Sequence, residues 1–244
     1  MLMKYICLLF TGILFFTACS KDAEPETTID RASINLKYDQ THQFEIRRGS
    51  ENLSSLYNWT SSDSTVGKIY AGGMFKARKI GSTQIKATSN GKEFSSSITV
   101  SPYSTIFEEP EFEFGLNKDT MKEKTTKFLA QESENVLVYV GGSAHVSKFV
   151  YLFNKDKLVG IAVDYADSDN VQNEVKTYYK ERYPILMPLI GRKDSLYIND
   201  GKNKAVYLTN NESMGFHASY GPVTFVNGKI APLTQSLKSA LDRL

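Results

Sequence analysis

The feature that most constrains this chain is a series of short segments, between Ser33 and Ser101, in which apolar and polar residues alternate. Phe44-Glu45-Ile46 and Gln84-Ile85-Lys86-Ala87 are two of them. A period of two is typical of strands that bury one face. Asn90-Gly91 stands between two such segments and favours a two-residue hairpin, because both turn positions need a positive φ. Many short strands at even spacing predict an all-β antiparallel sandwich over residues 33–102.

Three spaced motifs in this segment carry a family resemblance. They are Trp59-Thr60-Ser61-Ser62-Asp63, Gly73-Met74-Phe75-Lys76-Ala77 and Ile80-Gly81-Ser82-Thr83-Gln84-Ile85-Lys86-Ala87-Thr88. Together they resemble the bacterial Ig-like group 2 domain. The resemblance implies an Ig-like sandwich with Trp59 in its core, in preference to an exposed tryptophan that stacks on sugars. Domains of this family occur in adhesins, in surface enzymes and as spacers, so the resemblance alone does not determine a function. A single copy beside a tether favours the role of a spacer.

The N-terminus has the pattern of an export signal. Lys4 precedes Tyr5–Phe16, a nearly continuous apolar run that is too short to span a bilayer, which takes about 20 residues. The following Phe16-Thr17-Ala18-Cys19 resembles the lipobox of bacterial lipoproteins. The resemblance implies a lipoprotein signal peptide over residues 1–18 and lipidation of Cys19. The alternative is an ordinary signal peptide followed by a chance cysteine.

The chain has two cysteines. Cleavage removes Cys7 and lipid occupies Cys19, so we expect neither a disulfide nor a cysteine-ligated metal in the mature chain. Residues 19–32 are mostly polar and contain Pro25, which predicts a lipidated tether. Lys21, Asp22 and Glu24 loosely resemble the surface-export signal of Bacteroides-group lipoproteins. The expected location is the cell outer membrane, lipid-anchored and facing the cell surface, with the periplasmic face as the alternative.

The C-terminal half predicts an α+β domain over residues 115–244, after an acidic connector over residues 103–114. A helix beginning after Asn117 and another beginning at Asp169 are each followed by three strand-like segments. Phe149–Asn154 parallels Ala205–Asn210, and Gly160–Tyr165 parallels Gly215–Tyr220. A shared order of one helix and three antiparallel strands indicates an internal duplication; the alternative is chance similarity between two tyrosine-rich hairpins.

The duplicated unit resembles the β-lactamase-inhibitor-like architecture. That resemblance implies one continuous antiparallel sheet with helices on one face. After the sheet, a third helix is expected from an apolar stripe formed by Leu233, Leu237, Ala240, Leu241 and Leu244.

Strand parity then divides the sheet residues between two faces. The aliphatic Val150, Leu152, Val206 and Leu208 are expected beneath the helices. The aromatic residues at the alternate strand positions are expected on the opposite face of the sheet. They suggest a flat binding surface, because tyrosine offers contact area at low entropy cost. The candidate binding residues are Tyr139, Phe149, Tyr151, Phe153, Tyr197, Tyr207 and His217. The alternative is that the Ig-like domain or the C-terminal helix covers this face.

Patterns for catalysis and cofactors are absent from the sequence. His42, His145 and His217 have no histidine or cysteine at ligand spacing, so no metal and no cofactor are predicted. Asp164, Asp167 and Asp169 faintly resemble a calcium loop, but helix capping explains Asp169 better. Three Asp-Ser/Thr tripeptides resemble O-glycosylation sites of exported Bacteroides-group proteins and mark Ser64, Thr120 and Ser195.

The net charge of +2 excludes a strongly basic nucleic-acid-binding protein. The sequence therefore favours a non-catalytic surface lipoprotein in which an Ig-like spacer carries a binding domain for a glycan or a surface protein. Its other expected partner is the membrane, through the N-terminal lipid. The alternatives are an accessory or inhibitory subunit of a surface enzyme or transport complex, and a hydrolase whose site the sequence does not reveal.

Overall fold

The computed structural model describes residues 24–110, 113–188, 195–211, 215–223, 225–226 and 229–230. The predicted signal peptide, the predicted lipidation site Cys19 and the apolar stripe of residues 233–244 lie outside these residues. The described chain is mostly β, with an Ig-like sandwich first and few helices. Its first ten strands are β1 (Thr27–Ile29), β2 (Ser33–Lys37), β3 (Thr41–Gln43), β4 (Ile46–Arg48), β5 (Glu51–Asn52), β6 (Asn58–Ser61), β7 (Gly67–Ile69), β8 (Met74–Ala77), β9 (Gly81–Ser89) and β10 (Lys92–Ser101).

The Ig-like sandwich is built from a four-stranded sheet, β2-β10-β9-β6, and a three-stranded sheet, β3-β8-β7. A second three-stranded sheet, β1-β4-β5, carries the N-terminal strand. Alternate residues of β9 and β10 point inward, so that Ile85 and Ile98 are fully buried. They pack with Phe44, Phe75 and Trp59 in one core. Trp59 is 8% exposed, which confirms its predicted place in the core.

The hairpin predicted in this sandwich is confirmed, and two turns that the sequence did not predict lie at the same end. Asn90 and Gly91 have φ values of 47° and 77°, and they join β9 to β10 with Ser89 paired to Lys92. Two short 3-10 turns, Ser54–Leu56 and Ala71–Gly73, pack against each other at the same end of the sandwich. The hairpin turn and both 3-10 turns therefore define one pole of the Ig-like domain.

The rest of the described chain forms a single eight-stranded sheet with two helices, which we call the sheet region. Its order is β11-β12-β13-β14-β18-β17-β16-β15, antiparallel throughout. A separate pair, β19 and β20, follows. The elements are α1 (Lys118–Lys124), β11 (Leu129–Glu132), β12 (Val136–Ser143), β13 (Val146–Asn154), β14 (Lys157–Tyr165), α2 (Asp169–Arg182), β15 (Ile185–Pro188), β16 (Ser195–Ile198), β17 (Lys204–Asn211), β18 (Gly215–Pro222), β19 (Phe225–Val226) and β20 (Lys229–Ile230).

The sheet consists of two halves, each formed by a helix followed by four strands. The halves meet where β14 pairs with β18, with Val163 opposite Ala218. The predicted unit of three strands was one strand short. The additional strands, β11 and β15, form the two outer edges of the sheet. Their sequences, Leu129-Ala130-Gln131-Glu132 and Ile185-Leu186-Met187-Pro188, show no regular alternation of apolar and polar residues, so the period-two pattern did not reveal them as strands.

Local signals position the two helices. Asn117 caps α1, since its side-chain oxygen accepts a hydrogen bond from the Thr120 N–H at 2.8 Å. The cap of α2 is Ser168, whose hydroxyl accepts from the Val171 N–H at 3.4 Å, one residue earlier than the capping box expected at Asp169. From there α2 buries Val171, Val175, Tyr178 and Tyr179 on the sheet.

Glu181 joins the sheet region both to the connector and to the Ig-like domain. Glu181 near the end of α2 is fully buried, and its Oε1 accepts hydrogen bonds from the Tyr103 N–H at 2.8 Å and the Ser104 N–H at 3.3 Å. Its backbone oxygen accepts from the Ile80 N–H at 2.8 Å. Lys79 also pairs with Asp200 across this joint. The Ig-like domain is therefore attached to the sheet region by hydrogen bonds to its backbone as well as by the connecting chain.

Candidate functional site

The aromatic residues predicted to form a binding face lie mostly in the core. Phe149, Tyr151, Tyr139 and Tyr197 are at most 2% exposed, and Phe153 is 5% exposed. They belong to the cluster that contains the buried side chains of α1 and α2. The predicted face assignment was therefore wrong for the first half of the sheet: the aromatic set faces the helices, while the aliphatic Val150 and Leu152 face away. In this packing the buried rings cannot meet a ligand.

The two halves differ because the repeat does not keep one offset. Tyr151 and Tyr207 are 56 residues apart, whereas Ile161 and Phe216 in the third strands are 55 apart. Side chains alternate along a strand, so a one-residue difference places the two tyrosines on opposite faces. Val206 of β17 consequently lies beneath α2, as predicted, and Tyr207 is half-buried on the other face. His217 is 2% exposed, and its Nδ1 lies 3.0 Å from the Gly215 carbonyl oxygen.

A hydrogen-bonded tyrosine cluster lies beneath α2. The Tyr179 hydroxyl lies 2.7 Å from that of Tyr165 and 2.5 Å from that of Tyr220. The Tyr183 hydroxyl donates to Glu109 Oε1 at 2.5 Å. Because the rings are buried, these hydroxyls satisfy one another, which is how a core tolerates tyrosine. The cluster fixes the connector, through Glu109, onto the helix and the sheet.

Burial governs the ionisation of this cluster. It raises the pKa of Tyr165, Tyr179 and Tyr220 well above the ordinary tyrosine value of 10.0. Burial also raises the pKa of the Glu109 carboxyl, although its hydrogen bond from Tyr183 acts in the opposite direction. A low-dielectric site disfavours charge, so neutral tyrosines are the stable state. A closed cluster of neutral tyrosines is a structural element and not a ligand site.

The open site of the sheet region is a groove beside α2. It has a volume of about 400 Å³ and lies between α2 and the strands β16, β17 and β18. We call it the α2 groove, and its lining residues are Asp169, Gln172, Lys176, Ser195, Leu208, Thr209, Asn210 and Phe216. Its volume falls within the range of sites that hold small ligands, about 300–1,000 Å³.

The groove has a polar rim and an apolar floor. Asp169, Gln172 and Lys176 follow one another at helical spacing along one side of α2. Leu208 and Phe216, each 3% exposed, form the floor. Hydroxyl groups of Ser195 and Thr209 and the amide of Asn210 come from the strands. The site thus presents donors and acceptors of several types over an apolar base.

Sequence reasoning did not single out this groove as a site. Asp169 was assigned to helix capping, and Ser195 was marked only for O-glycosylation. Ser195 is half-buried at the start of β16; the other two marked residues are the exposed Ser64 and the half-buried Thr120. A polar stripe on a helix is typical of a solvated face, so the only available signal was the repeated polar side chain at positions 169, 172 and 176.

The described residues hold no group of three or more histidine, cysteine, aspartate or glutamate side chains placed to bind a metal ion. Among the carboxylates considered for calcium, Asp164 pairs with Lys148 at 3.2 Å and Asp167 accepts a hydrogen bond from Gln172 at 2.9 Å. Within the described residues, no helix is both long and apolar enough to cross a membrane.

The first domain can be placed in a family. Trp59 in the core, the Asn90-Gly91 hairpin and the paired sheets are the features that its sequence motifs implied. Residues 25–100 form a bacterial Ig-like domain of group 2. The match ends where β10 leads into the connector, so it does not include the sheet region. The match also includes residues 25–32, which the sequence assigned to the tether and in which β1 pairs with β4.

Solved structures with similarity to the chain include surface proteins. They include an intimin mutant of EHEC O157:H7, at 15% identity and a TM-score of 0.26, with 55% of this chain and 90% of that one covered. Domains 5–6 of the S-layer protein SbsC align at 11% identity and a TM-score of 0.27, covering 82% and 87%. A longer SbsC structure, domains 4–9, aligns at 12% identity and a TM-score of 0.27 over 84% of this chain and 32% of its own length. No curated protein matches the chain.

Proposed function

We propose that this chain is a non-catalytic, lipid-anchored protein of the cell surface that binds a short oligosaccharide in the α2 groove. The Ig-like domain serves as the spacer between the lipid on Cys19 and the sheet region. The observation that carries the proposal is the groove itself, because its amides and hydroxyls match the alternating donors and acceptors of sugar hydroxyl groups.

The lining of the groove also supports binding in preference to hydrolysis. Most glycoside hydrolases need two carboxyl groups on either side of the bond that is cleaved. Among the described lining residues, Asp169 is the single carboxylate, and Lys176 is the single cation. A ligand held there meets hydrogen-bonding groups and one charge of each sign, which suits a neutral or zwitterionic sugar.

The test is a glycan array probed with residues 20–244, followed by titration of each glycan that binds. Lys176→Ala and Asn210→Ala are each expected to weaken binding roughly 10-fold, because each removes a hydrogen-bonding group from the rim. Lys180→Ala is the matched control: this exposed lysine lies one turn farther along α2 and outside the groove lining. Absence of any bound glycan, or equal affinity in all three variants, would contradict the assignment.

The anchor and the lack of catalysis have separate tests. The intact mass of the exported chain is expected to exceed that of the peptide by the mass of the lipid, and Cys19→Ser is expected to abolish the increment. A bound glycan is expected to be recovered unchanged after prolonged incubation. Shortened products in the wild type that disappear in Asp169→Asn would instead identify a hydrolase.

A further inference from the structure

The exposed apolar side chains of the Ig-like domain are concentrated at one end. Among residues 25–100, all of which the structure describes, the exposed large hydrophobic side chains are Leu56, Tyr70 and Met74, at 67%, 45% and 40% exposure. Leu56 ends one 3-10 turn, and Tyr70 and Met74 border the other. The turns pack together, and the Tyr70 N–H donates to the Met74 carbonyl oxygen at 2.9 Å. Large apolar residues gathered at one place on a soluble domain mark an interaction site.

This end is the pole opposite the sheet region. β9 begins at Gly81, directly after Ile80, which contacts Glu181 of the sheet region, and it runs away from that joint to Ser89. Asn58, two residues after Leu56, pairs with Thr88 at the far end of β9. The three apolar side chains therefore lie at the end of the spacer farthest from the α2 groove.

The N-terminal chain enters at the same pole. β2 pairs in parallel with β10, with Ser33 opposite Ser97 and Lys37 opposite Ser101, so it runs toward the sheet region. The chain before Ser33 consequently lies toward the opposite pole. Five Cα–Cα steps lead from Cys19 to the first described residue, Glu24. Fully extended, they span about 18 Å, so lipid on Cys19 would hold this pole close to the bilayer surface.

The chemistry of the pole suits a lipid interface. Tyrosine prefers the headgroup level, where the ring is apolar and the hydroxyl is wet. Lys68 Nζ lies 5.0 Å from the centre of the Tyr70 ring, so a cation accompanies the aromatic side chain. The nearby cations of β4 are already paired, since Arg47 contacts Glu45 at 2.6 Å and Arg48 contacts Glu51 at 2.9 Å. The contact is thus mainly apolar, and it does not require anionic lipid.

We infer that the pole formed by Leu56, Tyr70 and Met74 rests on the headgroup region of the bilayer and holds the Ig-like domain upright. The inference rests on the proposed lipid attachment at Cys19. Three partly exposed side chains would bind a membrane weakly from solution. The tether makes the contact intramolecular, and the effective concentration then reaches about the millimolar range, at which a weak contact is populated.

Trp59 is a native reporter for this contact. It is the only tryptophan, and its Nε1 donates to the Ser54 carbonyl oxygen of the first 3-10 turn at 2.9 Å, directly beneath the pole. The chain from Cys19 to Leu244 can be coupled through its single thiol to a maleimide lipid in phosphatidylcholine vesicles that contain a dansyl-headgroup lipid. Energy transfer from Trp59 to dansyl then measures how close the pole lies to the headgroups.

The expected result is strong transfer in the wild type and a drop of roughly two-fold or more in the triple variant Leu56→Asn, Tyr70→Ser, Met74→Asn. Phe128→Ser, which removes a 74% exposed ring in the sheet region, is expected to change nothing. Equal transfer in the wild type and the triple variant would overturn the inference. Should the triple variant fail to fold, judged by the solution emission of Trp59, the single variant Leu56→Asn replaces it.

Chemical coupling separates this inference from the proposed function. A chain that cells export without lipid would refute the proposed anchor, yet the coupled chain would still report contact between pole and bilayer. Conversely, a coupled chain with low transfer would refute the contact and leave both the anchor and the α2 groove unaffected.

Discussion

Replacing Tyr179 by phenylalanine isolates the hydrogen bonds of the buried cluster from its packing. The ring stays in place among Tyr165, Tyr220 and the sheet, while the two hydroxyl contacts at 2.7 and 2.5 Å disappear. Each neutral hydrogen bond contributes about 1 kcal/mol net, so the free energy of unfolding is expected to fall by about 2 kcal/mol. For a chain of this size that corresponds to a drop in Tm of roughly 4–8 °C.

Urea unfolding measures this loss with two independent signals. Near-UV circular dichroism follows the tyrosines of the sheet region, and fluorescence of Trp59, the single tryptophan, follows the Ig-like domain. The control is Tyr70→Phe, at an exposed hydroxyl, which is expected to change the free energy by less than about 0.5 kcal/mol. A loss in Tyr179→Phe as small as that of the control would refute the reasoning that the buried hydroxyls stabilise the sheet region.

Two further predictions concern ionisation and backbone strain. Because burial raises the pKa of Tyr165, Tyr179 and Tyr220 above 10.0, these groups stabilise the fold below pH 10 and lose that contribution as the pH rises above it. The absorbance of tyrosinate from the cluster is therefore expected to appear together with the loss of the far-UV circular dichroism signal. Ionisation of the cluster while the circular dichroism stays at its native value would contradict this. Gly73→Ala is expected to lower the midpoint of unfolding, followed by Trp59 fluorescence, well below that of Gly72→Ala. Both glycines have positive φ, but a Cβ at Gly73 would lie 2.4 Å from the Phe44 carbonyl oxygen, whereas a Cβ at Gly72 meets nothing within 4 Å. Equal midpoints in the two variants would refute the steric argument.

Most predictions that depended on local chemistry were accurate, the exception being the cap of α2, which is Ser168 and not Asp169. The Asn90-Gly91 turn, the Asn117 cap and the buried Trp59 each depend on a few neighbouring residues, and the structure confirms all three. Signals of this kind involve residues only a few positions apart in the chain, so they can be read directly from the sequence.

The orientation of the strands could not be predicted in the same way. Pairing between β13 and β14 shifts register between Leu152 and Phe153, and the repeat changes its offset by one residue. The changed offset places the residues matched by the repeat in β13 and β17 on opposite faces, so an assignment that was right for Val206 failed for Val150. The α2 groove was hidden for another reason: Asp169 and Asn210 are far apart in sequence, and only the sheet order brings them to one site.

The parallel pairing of β2 and β10 has a mechanical consequence. A protein held through its N-terminus and pulled by a ligand on its sheet region would be stretched along the direction of these two strands, which run side by side from Ser33–Ser97 to Lys37–Ser101. Tension would then shear all of their hydrogen bonds at once, whereas a hairpin pulled at its open end parts one bond at a time. Resistance to forced unfolding depends on the unfolding rate. The Ig-like domain is therefore expected to stay folded under a pulling force that would unzip an antiparallel pair of equal length.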